Sequence, residues 1–494
     1  MTKVNKKASV AHTEKKLDKT ERLAGGYGAY AAKQSAYLQL RRCVLACMLG
    51  ENIAYASGAT VKEEIASLVP QVEPQLVAEL AIEVRLEQKI RHAALFLAVE
   101  MTKHLAHRKL VGYVLKKIVN RPDEITDFLA MYWADGKKPI PAQVKKASSE
   151  FFSKWNDYHL SKYNRDNEIK LRDAMYLLHP KPSQGKIGRN KKWRKDQKEL
   201  LGEEQFLEQL NDHEKYLYQL SEEKLSTPDT CEVALSSGKD KKTAWERLIQ
   251  EGKLGALAYL RNLRNMRQSG VDLTTIQVGL SKVKSDWLLP LNFYAAYKEC
   301  PEMQRPLDVL MTRCYELYPK LSGLTILIVD TSGSTHHMIS EKSTLSRLDV
   351  EISLASMAIS LSENVLLYAT AGDDRRRQHS TCRVSPIAGL GLGSVIVKES
   401  VPLGGGGIFT RQCLEYIKED IGGTVPDRII VLSDSQDCDL PNLRLPKPFG
   451  KKNYLVDVSA HRLGIGYDGV WTAEISGVSD ATIKYILEIE KEQN

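Results

Sequence analysis

Three oxygen-bearing side chains follow an apolar run at a spacing that suits a metal ion. Asp330, Ser332 and Ser334 form a D-x-S-x-S pattern directly after the apolar residues 324–329. The apolar run predicts a buried strand of a parallel sheet, and open α/β sheets bind ligands just beyond the carboxyl ends of their strands. One carboxylate and two hydroxyls on a tight loop are oxygens that Mg²⁺ accepts while it keeps several waters. The pattern therefore predicts a site for Mg²⁺ or another divalent cation.

The motif resembles the metal-ion-dependent adhesion site of von Willebrand factor A domains. That family has a doubly wound α/β fold with the metal at the top of the sheet, and it takes two more oxygens from a Thr and an Asp on later loops. The resemblance implies Asp434, which follows the strand-like run 428–433, and Thr410, which lies beyond the glycines 404–407. Ile408 directly follows those glycines, where the family usually has its Thr. The site has therefore either lost this ligand or uses water in its place, unless Thr410 supplies it.

Two other interpretations compete with the metal site. Asp and Ser at the end of a strand often only cap the segment that follows. A phosphatase with an aspartyl nucleophile would carry a second acid two positions further on, where this chain has Ser332. The missing general acid argues against phosphoryl transfer. The second strand, which ends before Asp434, favours a metal.

Length and composition indicate several domains and exclude some classes of protein. The 494 residues suffice for two or three domains, and 43% hydrophobic and 27% charged residues are ordinary for a globular protein. No run approaches the roughly 18 apolar residues of a membrane helix, and no secretory signal is visible at the N-terminus. The eight cysteines are scattered without a Cys-x-x-Cys pair, which favours free thiols and a cytoplasmic protein. We expect no membrane partner.

The pattern of the chain changes near residue 320. Residues 1–20 are lysine-rich and polar, and we expect them to be disordered. Residues 21–320 contain successive amphipathic segments and no convincing strand, which predicts an α-solenoid of paired helices. Residues 321–494 alternate strand-like and helical runs, which predicts a doubly wound parallel sheet.

Basic and polar residues recur in the helical part with the spacing i, i+3, i+4, i+7. This spacing predicts that each set lies on one face of a helix. The sets are Arg85, Gln88, Lys89 and His92; Arg172, Met175, Tyr176 and His179; and Arg261, Arg264, Asn265 and Gln268. Such faces could neutralise a phosphate backbone, with an aromatic ring stacked on a base, and the net charge of +8 permits an anionic partner. The alternative is an ordinary solvated face, and the basic run 186–195 allows the same two interpretations.

The helical part resembles the TROVE module of Ro ribonucleoproteins. The segments that carry the resemblance are 40–51, 91–92, 135–139, 162–165, 178–182 and 255–266. A TROVE-like region followed by a von Willebrand A-like domain is the Ro architecture.

The resemblance implies a ring of HEAT-like helical repeats whose ends are joined by the α/β domain. The family is not enzymatic. Its outer basic surface holds small structured Y RNA, and its ring admits the single-stranded 3′ ends of misfolded non-coding RNA. Some bacterial relatives work with polynucleotide phosphorylase, an exoribonuclease, which makes such an enzyme a candidate partner of an otherwise monomeric chain.

The resemblance and the helical spacing together select the candidate RNA-binding residues. Those at the positions of the family's RNA contacts are Lys162, Arg165, Lys170, Arg172 and His179. Those on helices expected to line the ring are Arg85, Lys89, Arg91, His92, Arg261 and Arg264.

We therefore predict an RNA-binding scaffold of the Ro type that acts in RNA quality control on Y-like RNA and misfolded RNA. The alternative is a protein-interaction adaptor, in which the metal captures a partner's carboxylate and the helical solenoid binds peptides. A ribonuclease is a third and weaker interpretation, since no paired histidines, His–Lys pair or two-metal acidic cluster stands out in the helical part.

Overall fold

The computed structural model describes most of the chain between residues 35 and 491. The described ranges are 35–45, 58–180, 196, 198–236, 238, 240–285, 288–316, 318–339, 343–439, 446–459, 469–478 and 481–491. The predicted disordered tail, 1–20, and the basic run 186–195 lie outside them.

The described residues before Leu321 form helices and no strand, as the sequence predicts. None of the described helices is both long enough and apolar enough to cross a membrane. The helices are α1 (Ala36–Leu45), α2 (Gly58–Leu68), α3 (Pro74–Leu86), α4 (Arg91–Lys103), α5 (Leu105–Ile118), α6 (Pro122–Tyr132), α7 (Ala142–Ser149), α8 (Asp157–Tyr163), α9 (Leu171–Leu178), α10 (Glu203–Glu208), α11 (Asp212–Ser221), α12 (Cys231–Ser236), α13 (Lys241–Gln250), α14 (Ala256–Arg261), α15 (Leu263–Gln268), α16 (Leu273–Ser281), α17 (Pro290–Glu299) and α18 (Gln304–Arg313).

From Leu321 onward, strands and helices alternate around one six-stranded sheet. The strands are β1 (Leu321–Asp330), β2 (Ser362–Asp373), β3 (Gln378–Val384), β4 (Arg428–Ser433), β5 (Lys452–Asp457) and β6 (Ala473–Ser476), in the order β3-β2-β1-β4-β5-β6. The helices are α19 (Arg347–Leu361), α20 (Leu392–Ser400), α21 (Thr410–Asp420) and α22 (Ala481–Lys491). All neighbouring strands pair in parallel except β3, which pairs antiparallel to β2.

The edge strand β3 and the helix α20 are two elements that were not predicted from the sequence, and β3 shows why. Its residues, 378–384, are mostly half-buried and include few large apolar side chains. An edge strand buries less of its surface than a central one, so it lacks the continuous apolar run that marks β1 and β4. The central strands were predicted within a few residues because both of their faces are covered.

Residues 72–238 form one compact unit, and residues 1–71 with 239–494 form the other. In the first unit, α3, α4 and α5 pack against one another. Helix α4 is buried on nearly every side, because its residues Arg91–Lys103 include an apolar and alanine-rich stretch that leaves little polar surface.

In the second unit, helices that precede the sheet in sequence pack with the α/β part. Lys298 of α17 pairs with Asp349 of α19 at 2.7 Å, and the carboxylate of Asp308 in α18 accepts a hydrogen bond from the main-chain N–H of Leu390 at 2.7 Å. The start of β1 lies at the predicted boundary near residue 320, yet the compact unit extends to both sides of it.

A buried ion pair fixes the last helix, α22, to the sheet. Arg428 of β4 donates from Nε and Nη2 to the two carboxylate oxygens of Glu490, each at 2.8 Å, and from Nη1 to the hydroxyl of Thr325 at 2.8 Å. The hydroxyl of Tyr454 lies 3.2 Å from the same carboxylate. Each polar group in this cluster therefore has a partner, which burial requires.

We expect Glu490→Ala to destabilise the protein by about 3–5 kcal/mol, because it leaves the buried guanidinium of Arg428 without its counter-charge. Urea unfolding followed by circular dichroism measures the change. The control is Glu415→Ala, which removes an exposed carboxylate 2.7 Å from Arg411 and should cost at most about 1 kcal/mol. Similar small losses in both variants would contradict the assignment.

Candidate functional site

The predicted metal residues come from loops that leave the same edge of the sheet. Strand β1 ends at Asp330 and its parallel neighbour β4 ends at Ser433. The register pairs Val329 with Leu432, so Asp330 and Asp434 emerge side by side at the carboxyl ends of the two central strands. The structure thus brings together the two acids that the sequence places 104 positions apart.

Asp330 is buried and held by hydroxyl and main-chain donors. Its Oδ1 accepts from the main-chain N–H of Ser332 at 2.8 Å, and its Oδ2 accepts from the hydroxyl of Ser433 at 2.6 Å. The hydroxyls of Ser332 and Ser334 lie 3.1 Å apart. Burial raises the pKa of Asp330 above its ordinary value, and the charge of Asp434 raises it further. The D-x-S-x-S loop therefore gathers one carboxylate and two hydroxyls.

Only one of the two carboxylate oxygens of Asp434 has a hydrogen-bond partner among the described residues. Its Oδ2 accepts a hydrogen bond from Arg347 at 2.8 Å in a fully buried ion pair, whereas its Oδ1 is buried and has no hydrogen-bond partner in the described part of the chain. Glu351, one helical turn beyond Arg347 on α19, is buried with neither carboxylate oxygen hydrogen-bonded to any described residue. Burial holds the pKa of Glu351 well above its usual range, and the charges of Asp330 and Asp434 add to this.

The glycine loop packs against the D-x-S-x-S loop. A Cβ atom at Gly333 would lie 2.9 Å from the carbonyl oxygen of Gly405, so the approach of the two loops requires glycine. Thr410 is the first residue of α21. Its main-chain N–H donates to Asp437 at 3.3 Å, while its buried hydroxyl finds no hydrogen-bond partner among the described residues.

Ile408 joins the glycine loop to the loop after β4. It forms an isolated parallel bridge with Asp437, and its carbonyl accepts from the main-chain N–H of Cys438 at 2.7 Å. Its side chain is buried and supplies no oxygen. Burial raises the pKa of Asp437, and the charge of Asp439 adds to this. Thr410 is thus placed beside Asp437, a residue that the sequence analysis did not single out.

The donor set at this edge fits a hard divalent cation. Its members are carboxylates and hydroxyls, the oxygens that Mg²⁺ prefers. Buried polar atoms normally have hydrogen-bond partners, so the orphaned oxygens of Asp434, Glu351 and Thr410 need one. Within the described ranges, no group of three or more His, Cys, Asp or Glu is arranged to hold a metal ion by itself. The hydroxyls are therefore an essential part of the fit.

Two of the predicted RNA-binding arginines form ion pairs inside the helical unit. Arg85 donates to Glu124 at 2.6 Å, and Arg91 pairs with Asp123 at 2.9 Å and with Asp127 at 3.3 Å. Asp123 and Glu124 lie in the first turn of α6, where the helix dipole favours negative charge. Both arginines thus tie α3 and α4 to α6 and carry little free charge.

The first of the three predicted basic sets does not lie on one helix. Helices α3 and α4 are separate, and Lys89 between them adopts a left-handed φ of 59°. Arg85, Lys89 and His92 therefore do not share a helical face, which corrects the prediction. The ring of His92 lies 3.7 Å from the carboxylate of Asp127.

The third predicted set is also divided between two helices. Asn262 separates α14 from α15, so Arg261 and Arg264 do not lie on one continuous helix. Arg264 pairs with Glu299 at 2.8 Å. Arg261 is exposed and forms no ion pair with any residue that the structure describes.

The second predicted set is only partly exposed to solvent. Arg172 and the exposed Tyr176 lie on α9, but Met175 is buried in the core. His179 ends the helix with a left-handed φ of 51°. The helix therefore offers Arg172 and Tyr176 to a ligand, and the exposed His179 lies just beyond its end.

Beside this helix lies a surface cavity of about 180 Å³ that contains three of the predicted cations. Lys170 pairs with Asp166 at 3.1 Å, and Arg172 pairs with Glu223 at 2.8 Å. Arg165 lines the same cavity and forms no ion pair within the described chain. The cavity therefore carries one positive charge more than its acids balance.

Lys162 lies among aromatic rings at the end of α8. Its Nζ is 5.4 Å from the ring centroid of Tyr158 and 5.6 Å from that of Tyr163. The first residue that lines the cavity, Asn164, follows Lys162 by two positions. Aromatic rings beside a cation are the arrangement on which unstacked bases bind.

Helix α5 presents a basic surface that the sequence analysis missed. The helix contains no acidic residue, and Lys109, Tyr113 and Lys117 recur on it with the spacing i, i+4, i+8. All three side chains are exposed, and the Nζ of Lys117 lies 5.9 Å from the ring centroid of Tyr113. The lack of acidic residues in 105–118 is the feature of the sequence from which this basic face could have been predicted.

The basic surface continues onto α7 and the residues after it. Helix α5 packs on α7 at Gly112, and Lys116 pairs with Glu150 at 2.8 Å. The hydrogen bond from Lys116 lowers the pKa of Glu150, and the charges of Lys146 and Lys154 lower it further. One acid thus lies among several lysines. We call the face formed by Lys109, Tyr113, Lys116, Lys117, Lys146 and Lys154 the α5 surface.

The TROVE domain family matches residues 36–221 and 221–286, slightly more than half of the chain. Two curated relatives are similar to it. Telomerase protein component 1 of Rattus norvegicus is 23% identical over 304 residues, which cover 47% of this chain and 11% of that protein. Telomerase protein component 1 of Mus musculus is 22% identical over 331 residues, covering 53% and 12%. The chain spans about a tenth of the length of these relatives.

The fold is similar to that in the crystal structure of the Deinococcus radiodurans Ro (RSR) protein. The TM-score is 0.53 at 16% sequence identity, and the alignment covers 92% of this chain and 98% of that one. At this identity the likeness shows the fold alone. The predicted fold class, a helical-repeat part with an α/β domain of the von Willebrand A type, is confirmed.

Proposed function

This chain belongs to the TROVE domain family of Ro-type proteins, and we propose that it is an RNA-binding scaffold. Family members are RNA-binding scaffolds and not enzymes. The observation that carries the proposal is the uneven pairing of cations in the unit of residues 72–238. The arginines of α3 and α4 are neutralised by acids, whereas the cavity beside α9 and the α5 surface keep unbalanced positive charge.

The RNAs that we propose for these surfaces are small structured RNA, such as Y-like RNA, and misfolded RNA with a single-stranded 3′ end. Exposed lysines along a helix neutralise phosphates of a duplex without reading its sequence. Aromatic rings beside Lys162 suit unstacked bases. The scaffold would act in RNA quality control in the cytoplasm, with an exoribonuclease as a candidate partner. The seven described cysteines are free, which agrees with a reducing compartment.

We expect Lys109→Ala/Lys117→Ala to weaken binding of a hairpin RNA and to reduce its salt dependence. Each neutralised phosphate contributes about 0.7–0.9 to the slope of log K against log salt, so the slope should fall by about 1.5. Filter binding at several salt concentrations measures this. The control, Lys242→Ala/Lys253→Ala, removes two lysines that already pair with Glu246 and Glu251. An unchanged slope in the α5 variant would exclude this surface.

The cavity beside α9 gives a pair of opposite predictions. Arg165→Ala removes its unbalanced charge and should weaken binding of an RNA with a single-stranded 3′ tail by about threefold to tenfold. Glu223→Gln releases Arg172 from its ion pair and should strengthen binding by a similar factor. The same filter-binding titration tests both variants. Changes of the same sign in the two variants would show that charge in the cavity does not govern binding.

We also propose that the carboxyl edge of the sheet binds Mg²⁺ or another divalent cation. Asp330, Ser332, Ser334 and Asp434 would hold it, with Thr410 as a further oxygen. The ion would supply an open coordination position for a partner's carboxylate, or it would brace the loops; it has no catalytic role. A carboxylate captured in this way is what the alternative function, a protein-interaction adaptor, requires.

Asp330→Ala should abolish Mg²⁺ binding measured by isothermal titration calorimetry, because it removes the carboxylate at the centre of the donor set. Circular dichroism should show a retained fold. Asp373→Ala, which removes an exposed carboxylate at the end of the neighbouring strand β2, should bind Mg²⁺ normally. Equal Mg²⁺ affinity in Asp330→Ala and the unaltered protein would rule out the site.

A further inference from the structure

We propose that Glu351 and Arg347 of α19 both contribute to the cation site. Glu351 supplies a third buried negative charge that matches the site to a divalent ion, and Arg347 holds Asp434 by one oxygen and leaves the other for the ion. This inference rests on the proposed cation site and adds two residues that the D-x-S-x-S pattern does not contain.

The first support is the burial of Glu351. Its side chain is fully buried, and neither oxygen makes a hydrogen bond of good geometry with a described residue, although the main chain of Asp330 lies close enough to favour its charged form. Buried carboxylates are ordinarily paired or bound to metal ions, because an isolated buried charge is very costly. Helix α19 packs against β1 and β4, whose ends carry Asp330 and Asp434. The charges of Asp330 and Asp434 both act on Glu351, so its carboxylate is near theirs, although the three described acids are not arranged to hold an ion by themselves.

The second support is the charge balance. Asp330, Asp434 and Glu351 supply three potential negative charges, and the guanidinium of Arg347 supplies one positive charge. Among these four residues, and without Asp437 beside Thr410, two negative charges remain when all three acids are ionised. One divalent cation compensates them, whereas a monovalent cation leaves one uncompensated.

The third support is the direction in which Arg347 bonds. Its Nη1 lies 2.8 Å from Oδ2 of Asp434, so the carboxylate is held by one oxygen. The other oxygen, Oδ1, is the orphaned one. The main-chain N–H of Arg347 also donates to the carbonyl of His337 at 3.0 Å, just after the D-x-S-x-S loop. Arg347 is therefore a positioning residue that ties α19 to both ligand loops.

Glu351→Gln tests the inference, because glutamine keeps the shape of the side chain and removes its charge. Thermal unfolding of the full chain in EDTA and in MgCl₂, together with calorimetric titration of Mg²⁺, gives the readouts. We expect Glu351→Gln to unfold like the unaltered protein in EDTA. It should bind Mg²⁺ at least about tenfold more weakly, and its Mg²⁺-dependent rise in Tm should therefore be smaller.

Arg347→Met should differ from Glu351→Gln in both thermal readouts. Removal of the guanidinium leaves Asp434 unpaired, so Tm in EDTA should fall and the rise on adding Mg²⁺ should exceed that of the unaltered protein. Glu415→Gln, an exposed acid in the same domain, is the control and should change neither value. If Arg347→Met does not fold in EDTA, the comparison with Glu351→Gln decides alone.

The outcomes separate this inference from the proposals on which it rests. If Glu351→Gln retains the full Mg²⁺-dependent rise of the unaltered protein, Glu351 has no part in the site, although the site itself stands. If the unaltered protein binds no Mg²⁺, the cation site fails and this inference fails with it. RNA binding, measured by filter titration, is decided independently of both results.

Discussion

Buried negative charge at the carboxyl edge of the sheet is the constraint around which the α/β part is arranged. Asp330 and Asp434 end neighbouring parallel strands, so the topology forces two carboxylates into one enclosed place. Like charges in a dry environment destabilise a fold unless hydrogen bonds, cations or protons compensate them. Serine hydroxyls, main-chain N–H groups and Arg347 compensate part of the charge. The remainder is the charge that the proposed cation would compensate.

Ion pairing also distinguishes structural cations, which bind an acid of the same chain, from cations that are available to a ligand. Arg85 and Arg91 form ion pairs with acids of α6, and Arg428 forms an ion pair with Glu490. Lys109 and Arg165 have no ion-pair partner within the described ranges. A phosphate backbone gains most from cations of this second kind, because they need not break an internal pair. The net charge of the chain would not reveal this difference, since it counts both kinds equally.

The sequence predicts the central sheet well and the helical part less well, for a physical reason. Strands β1 and β4 are buried on both faces, so each is a continuous apolar run followed by an acid, and both Asp330 and Asp434 lie where predicted. Helical spacing at i, i+4, by contrast, is informative only if the helix is continuous. The left-handed Lys89 and the break at Asn262 end helices inside two of the predicted basic sets, and neither position is a glycine or a proline.

Residues that depend on long-range partners could not be predicted from local spacing. Arg347 and Glu351 lie four residues apart on α19, the spacing of an ordinary ion pair on an exposed helix. In the folded chain the guanidinium instead reaches Asp434, 87 positions away, and Glu351 is left buried beside the strand ends. Both carboxylates are buried, so the one that the guanidinium does not reach is left without this partner, and the i, i+4 spacing does not say which one that is. A cation that completes this cluster would therefore act on the stability of the whole edge as well as on one ligand loop.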